Sequence, residues 1–210
     1  MGDTANRDRR LQRYWDKQAD GYDRQLAWLE RRHFADTRSW LCGRASGETL
    51  EVAVGTGLNL EHYPAGVSLT GIEWSESMLS VARRRADALP RQVTLRQADA
   101  RDLPFGDAHF DTVLATFSLC GIPDPGRALE EMKRVLRPGG LLLLADHVAS
   151  SALPIRALQR VVDVFTVPLQ GERYSHRPLP AVLRMGFVLE AHERGRFGLI
   201  ERLAARRPPS

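Results

Sequence analysis

The stretch Thr49-Leu-Glu-Val-Ala-Val-Gly-Thr-Gly-Leu-Asn-Leu60 decides how this chain is read. Leu50, Val52 and Val54 alternate as a buried strand does, Gly55-Thr56-Gly57 makes a tight turn, and a helix is expected to start at Leu58. A helix N-terminus presents unpaired N–H groups and a partial positive charge, and glycine lets a ligand approach the backbone, so the turn suits an anionic group. Glu51, at the edge of the strand, suits an ammonium or a hydroxyl. A ligand carrying both signs of charge, such as an amino acid, fits the pair. A glycine turn by itself is weak evidence, because every parallel α/β fold needs tight turns after its strands.

Working outward, Ser68–Trp74 (SLTGIEW) reads as a second strand ending in an acid, Glu73. A carboxylate at that place receives both hydroxyls of a ribose. Ser75 caps the next helix, with Glu76 in its first turn and Met78, Ala82 and Ala86 on its inner face. Gln92–Ala100 reads as a third strand ending at Asp99, placed to accept from an exocyclic amine or to cap a turn. Phe110–Ser118 is a buried strand. A helix from about Pro125 carries Ala128, Leu129, Met132, Val135 and Leu136 inward, and Pro138-Gly139-Gly140 is expected to stop it. Leu141–Val148 is nearly all apolar, as a central parallel strand covered on both faces is.

Ahead of the first strand, a helix from about Asp8 to Asp20 puts Leu11, Tyr14, Trp15 and Ala19 on one face. Gly21 is expected to separate it from a second helix, Asp23–Cys42, with Leu26, Leu29, His33 and Trp40 inward. Tyr14, Trp15 and Tyr22 fit a plain core equally well, and Tyr22 also sits where a lid would reach a ligand. Beyond the fifth strand, helices are expected over 154–167 and Pro180–Met185, separated by the polar loop GERYSHRPLP. A hairpin of Phe187–Arg194 and Phe197–Ala204, turning at Gly195, closes the sheet.

The chain has 210 residues, enough for one domain with a good core. Its 43% hydrophobic and 27% charged content is that of a soluble globular protein, and no apolar run approaches the roughly 20 residues that span a bilayer. The charged N-terminus fits neither a secretory signal nor a myristoylation site, so a cytoplasmic location is expected. Two cysteines, Cys42 and Cys120, make no disulfide framework and lack metal-site spacing, so no metal is expected. Only Lys17 and Lys133 stand among the 30 basic residues, leaving 28 arginines and a net charge of +4. The densest cluster, Arg83-Arg84-Arg85, is better explained as a solvated helix face than as a nucleic-acid stripe.

Three successive strands thus end in Glu51, Glu73 and Asp99 on the edge where open α/β sheets bind ligands. The order EVAVGTG, GIEWSESML, ADARDLPFGDAHFD and RVLRPGG resembles the class I S-adenosylmethionine-dependent methyltransferases of the small-molecule branch, over roughly residues 14–148. That resemblance implies a Rossmann-like, seven-stranded, mostly parallel sheet with an antiparallel last strand, helices on both faces and an N-terminal helical lid. It implies one domain: N-terminal helices over 1–45, a cofactor core over 48–148, and substrate-side helices with the terminal hairpin over 149–210.

The resemblance also implies S-adenosylmethionine as cofactor and S-adenosylhomocysteine as product. Gly55, Thr56 and Gly57, with Glu51 and Asn59 nearby, would support its methionine end. Glu73 would take the ribose, Trp74 and Met78 would pack on the adenine, and Asp99 would accept its amino group beside Ala100. Tyr22, Thr116 and Phe117 would line the donor's surroundings. The family usually has glycine where Ala53 stands. The chain is most similar within the family to alkyl-thiol methyltransferases, with likeness to phospholipid and quinone methyltransferases. Lipid association does not come with that likeness, because no anchor-length apolar run is present.

The expected partner is a small-molecule acceptor, a thiol or other heteroatom nucleophile first, to a monomer or homodimer. Such a nucleophile must lose a proton; His147, just past the fifth strand, and His176, in the GERYSHRP loop, are the candidate bases. The Asn-Pro-Pro-aromatic motif of enzymes that methylate exocyclic base amines is absent, so no nucleic acid is expected. A nicotinamide oxidoreductase would share the turn and the ribose acid without needing Asp99. A non-catalytic cofactor-binding module is the third class.

Overall fold

The computed structural model describes residues 2–29 and 35–209, the side chains of 2–4, 26–29, 35 and 196 excepted. Five parallel strands, β1 (Glu48–Val52), β2 (Ser68–Glu73), β3 (Val93–Gln97), β4 (Phe110–Thr116) and β5 (Leu136–His147), are joined by β6 (Val188–Arg194) and β7 (Ile200–Arg206) in one sheet. The order is β3-β2-β1-β4-β5-β7-β6, with β7 antiparallel to both of its neighbours. The sheet order reverses direction between β1 and β4, and the carboxyl ends at that reversal form the ligand edge of such folds.

The helices are α1 (Gly2–Leu29), α2 (Ala35–Cys42), α3 (Glu76–Asp87), α4 (Pro125–Val135), α5 (Leu153–Gln170) and α6 (Leu179–Arg184). Side chains alternate across a strand, so the apolar run of β5 feeds two cores at once. Leu142 and Leu144 pack with Leu50, Val52, Val113 and Met132 of α4, whereas Leu141 and Leu143 pack with Leu114, Leu41 of α2 and Leu79 of α3. Ser75 caps α3 by accepting from Met78 N at 3.2 Å.

Three sequence expectations are corrected. Gly21 does not divide the first helix: α1 runs through it to Leu29, and residues 30–34 lie outside the described residues. His33 lies there too, and the inward placement expected of Leu26 and Leu29 also falls outside the description. Pro138-Gly139-Gly140 does not stop α4, which ends at Val135. Leu136 already pairs with Phe110 and Leu141 with Thr112, so residues 137–140 form a bulge inside β5, with Gly139 at φ 75°.

The third correction concerns the opening turn. No α-helix follows it, only a single 3-10 turn, Leu60–His62. Asn59 is 1% exposed because its side chain is committed to the interior, and Pro64 soon ends the segment. The anion-cradling helix N-terminus expected at Leu58 is therefore missing. Of the arginine run, Arg83 and Arg84 reach Glu76 and Ser80 on the helix surface, but Arg85 is a tether, donating to the Thr56 carbonyl (2.7 Å) and to Asp23 (2.6 Å).

Candidate donor-binding cleft

A cleft enclosing about 980 Å3, its open mouth included, lies over the carboxyl ends of β1, β2 and β4. Its walls include Glu51, Ala53, Gly55, Thr56, Glu73, Trp74, Met78, Asp99, Ala100, Thr116, Phe117 and Tyr22, which sequence reasoning proposed. They also include Trp15, Arg38, Ser118, Gly121, Ile122 and Glu172, which it did not.

Glu73 shapes the turn. Its carboxylate accepts from Gly55 N and Ser75 N, both at 2.9 Å, so the second strand's acid holds the first strand's loop. Burial raises its pKa and those backbone donors draw it partly back. Gly55 sits at φ 58°, and an added Cβ would meet nothing within 4 Å: its bare face opens into the cleft. Gly57 has another duty. It is not part of the wall, and a Cβ there would meet Leu60 Cδ1 at 2.8 Å and Ala82 at 3.3 Å, so it permits the turn to pack on α3.

Ala53 stands at φ 56° and Phe117 at φ 52°, both in the left-handed region that penalises a Cβ. The oddity at Ala53 is thus a strained residue in the wall, where glycine would carry no such penalty.

Glu51 is 2% exposed and accepts from Asn59 Nδ2 (2.8 Å) and Tyr63 Oη (2.8 Å). Burial pushes its pKa up to about 7 against the pull of those hydrogen bonds and of Arg38. Asn59 does not line the cleft; it stands behind it, donating also to Thr116 Oγ1 (2.9 Å) and accepting from Arg38 Nη1 (2.8 Å). Asp99 is gripped by Arg101, which donates through Nε and Nη2 at 2.7–3.1 Å and reaches Asp8 of α1 at 2.8 Å. Partial burial raises the Asp99 pKa, but the hydrogen bonds and charge of Arg101 outweigh it, leaving the carboxyl below its ordinary value.

The lid is stitched down by a polar stripe on α1. Asp8 pairs with Arg101, Gln12 donates to the Trp74 carbonyl (2.8 Å), Asp16 accepts from Ser75 Oγ (2.5 Å), and Asp23 from Thr56 Oγ1 (2.6 Å). Residues 8, 12, 16 and 23 share one helical face. That spacing was visible in the sequence, where a polar stripe reads as a solvated face.

The histidines stand elsewhere. His147 packs its ring on Phe117 (centroids 4.9 Å) and Tyr174 (5.9 Å) and lines a neighbouring cavity. His176 lines a third, with Nε2 3.7 Å from Asp146 Oδ2. Neither lines the donor cleft. The fold does bring donor atoms of Cys120, Asp146 and His147 within 4.8 Å of one another, a proximity invisible in their spacing. Asp146 explains it, accepting from the backbone N–H groups of Cys120 (2.9 Å) and His147 (2.8 Å). The cleft wall also presents a fourth acid, Glu172. Tyr174 Oη donates to it, Gln170 Nε2 donates at 3.0 Å, and burial with the nearby charge of Asp146 raises its pKa.

An open α/β sheet with acids at three strand ends, an exposed glycine face and a helix laid over its ligand edge has the architecture of nucleoside-binding methyltransferases. The comparisons agree: residues 50–144 match the family described as "Methyltransferase domain". The chain is 41% identical over 121 residues to a phosphatidylethanolamine N-methyltransferase of Cereibacter sphaeroides, covering 57% of this chain and 60% of that one. It is 33% identical over 150 residues to a demethylmenaquinone methyltransferase of Renibacterium salmoninarum, covering 68% and 62%. A solved SAM-dependent methyltransferase from Thermotoga maritima superposes with a TM-score of 0.69 at 21% identity, over 92% of this chain and 98% of that one, which shows the fold. In sequence over residues 50–144 and in fold, the chain is thus similar to the class I S-adenosylmethionine-dependent methyltransferases. It spans about three fifths of the length of the two curated relatives. Among the described residues, no helix is long and apolar enough to cross a membrane.

Proposed function

We propose that the protein transfers a methyl group from S-adenosylmethionine to a small amphiphilic acceptor, a phospholipid amine headgroup first and a quinone second. The carrying observation is the cleft itself: buried carboxyls at the ends of β1 and β2 and Asp99 after β3, beside a bare glycine face. A pyrophosphate would be repelled there, and a cationic nucleoside with an amino-acid tail is suited to every group. The curated relatives favour amine and quinone acceptors over the thiol expected from sequence.

When bound, S-adenosylmethionine supplies an electrophilic methyl group for in-line displacement. The chain's part is to position and to exclude water. Glu73, oriented by Gly55 and Ser75, would take the ribose hydroxyls; Glu51, held by Asn59 and Tyr63, would take the ammonium of the tail; Trp74 and Met78 would flank the base. α1, in the segment 1–45 proposed as a lid, closes the mouth through Asp16 and Asp23, and residues 149–210 form the acceptor side. An ammonium acceptor must lose a proton before attack, and Glu172, in the cleft wall with a pKa raised by burial, would take it.

Calorimetric titration with S-adenosylhomocysteine and with NAD, followed by a labelled-methyl assay over phosphatidylethanolamine, quinone, thiol and phenol acceptors read by product mass, tests the proposal. Binding of NAD in place of S-adenosylhomocysteine, or no methylated product from the lipid and quinone arms, overturns it.

A further inference from the structure

α5 presents its faces in the reverse of the usual order. Its inward side is polar: Gln159 Nε2 donates to the carbonyls of Val148 (2.9 Å) and Tyr174 (3.1 Å), Asp163 accepts from Tyr174 N (2.7 Å), and Thr166 Oγ1 donates to the Glu172 carbonyl (2.8 Å). Its outward side is apolar: Val161, Val164, Phe165 and Leu169 are 57%, 67%, 63% and 66% exposed, and no residue of the helix is buried. An ordinary surface helix turns its apolar stripe to the core. Rotating α5 to do so would break those hydrogen bonds, so the apolar face is held outward. A contiguous patch of this kind marks a contact surface.

The charges around it select the partner. The one acid of α5, Asp163, points inward, and so does Glu172 just after it. Arg160 on the helix, Arg173 beyond its end and Arg10 of α1, which donates to the Pro168 carbonyl (2.9 Å), are exposed around the patch. An apolar face rimmed by arginines is that of a helix lying on a bilayer with anionic head groups. A second copy of the chain in a two-fold contact would set those arginines against their own kind.

We propose that α5 docks on the surface of a bilayer containing anionic lipids. Docking also places an entrance. Ile155, Leu158 and Val162 of the same helix line the cavity that contains His147, whose ring leans on Phe117 of the donor cleft, so an acyl-bearing acceptor passes from the bilayer along α5 toward the methyl donor. This step deepens the lipid-acceptor reading and rests on it for its purpose, though the docking is testable alone.

The full chain is to be sedimented with vesicles of phosphatidylcholine alone and of phosphatidylcholine mixed with phosphatidylglycerol. Binding is expected to the mixed vesicles, weaker to phosphatidylcholine, and to fall with salt. Val164→Asp combined with Phe165→Asp is expected to weaken partitioning at least about tenfold, with unchanged circular dichroism and S-adenosylhomocysteine affinity. Arg160→Glu with Arg173→Glu is expected to abolish the preference for anionic vesicles. Absence of vesicle binding by the unaltered protein, equal binding by the variants, or a dimer that Phe165→Asp dissociates without any vesicle binding overturns the proposal. Vesicle binding without lipid methylation sinks the acceptor reading and leaves the docking; methylation of detergent-dispersed lipid without vesicle binding does the reverse.

Discussion

Replacing Glu51 by glutamine is expected to flatten part of the dependence of stability on pH. The folded carboxyl titrates near 7, against 4.5 for an ordinary glutamate, because burial disfavours its charged form. Between those values the native state holds a proton that the unfolded chain has released. The contribution of Glu51 is therefore fully present below 4.5 and lost as pH rises through 7. The gap between the two values, at about 1.4 kcal/mol per tenfold change in proton affinity, amounts to roughly 3–4 kcal/mol. Glutamine removes that slope, but its amide keeps one oxygen and turns its NH2 toward one of the two donors, Asn59 or Tyr63, a loss of about 1 kcal/mol. Glu51→Gln is thus expected to be less stable than the parent near pH 5 and more stable above pH 8, as measured by urea unfolding across that range. Glu73 and Glu172 are also raised and tilt both proteins alike, so the difference between them isolates Glu51. A constant difference over the whole range would refute the reasoning. A second reading comes from ligand: S-adenosylhomocysteine affinity should rise through pH 7 in the parent, as the carboxylate forms to meet an ammonium, and stay flat in the variant.

Ala53→Gly should relieve about 1–2 kcal/mol of left-handed strain at φ 56° and lose about 0.5–1 kcal/mol to chain entropy; a net gain of up to about 1 kcal/mol is expected in chemical unfolding, and destabilisation would contradict the strain. Asn59→Ala leaves Glu51 and Arg38 short of a buried partner and should cost about 3 kcal/mol, with S-adenosylhomocysteine binding lost; a calorimetric affinity like the parent's would show that Asn59 does not hold the wall. Glu172→Gln should lower kcat for an amine acceptor and remove one limb of its pH profile while S-adenosylhomocysteine affinity holds; an unchanged profile would acquit Glu172. Arg85→Ala unties Asp23 and the Thr56 carbonyl and should weaken cofactor binding mainly through faster release, visible in stopped-flow dissociation.

Much of the chain was legible before its structure was known. Period-two and period-3.6 patterns located every strand and, within a few residues, α3 to α6, because burial imposes those periods locally. The acids at 51, 73 and 99 announced the ligand edge, since strand ends in a parallel sheet converge whatever lies between them. Boundaries failed where tertiary partners overruled local signals. Gly21 continues a helix because α1 is laid on the domain by Asp8, Gln12, Asp16 and Asp23, and Leu58 starts none because Asn59 is drawn into the wall. The site's second half was out of reach for a different reason. Glu172 and Arg38 enter the cleft from segments distant from the motifs, and only packing shows that Phe117 stands between the donor cleft and His147. Spacing along a chain determines which residues share a face of one element; which face of another element they meet is settled by long-range contacts that leave no local period. The sequence alone therefore determined the fold class and the ligand edge, and the tertiary structure decided which acids burial pushes upward and why the apolar face of α5 points outward.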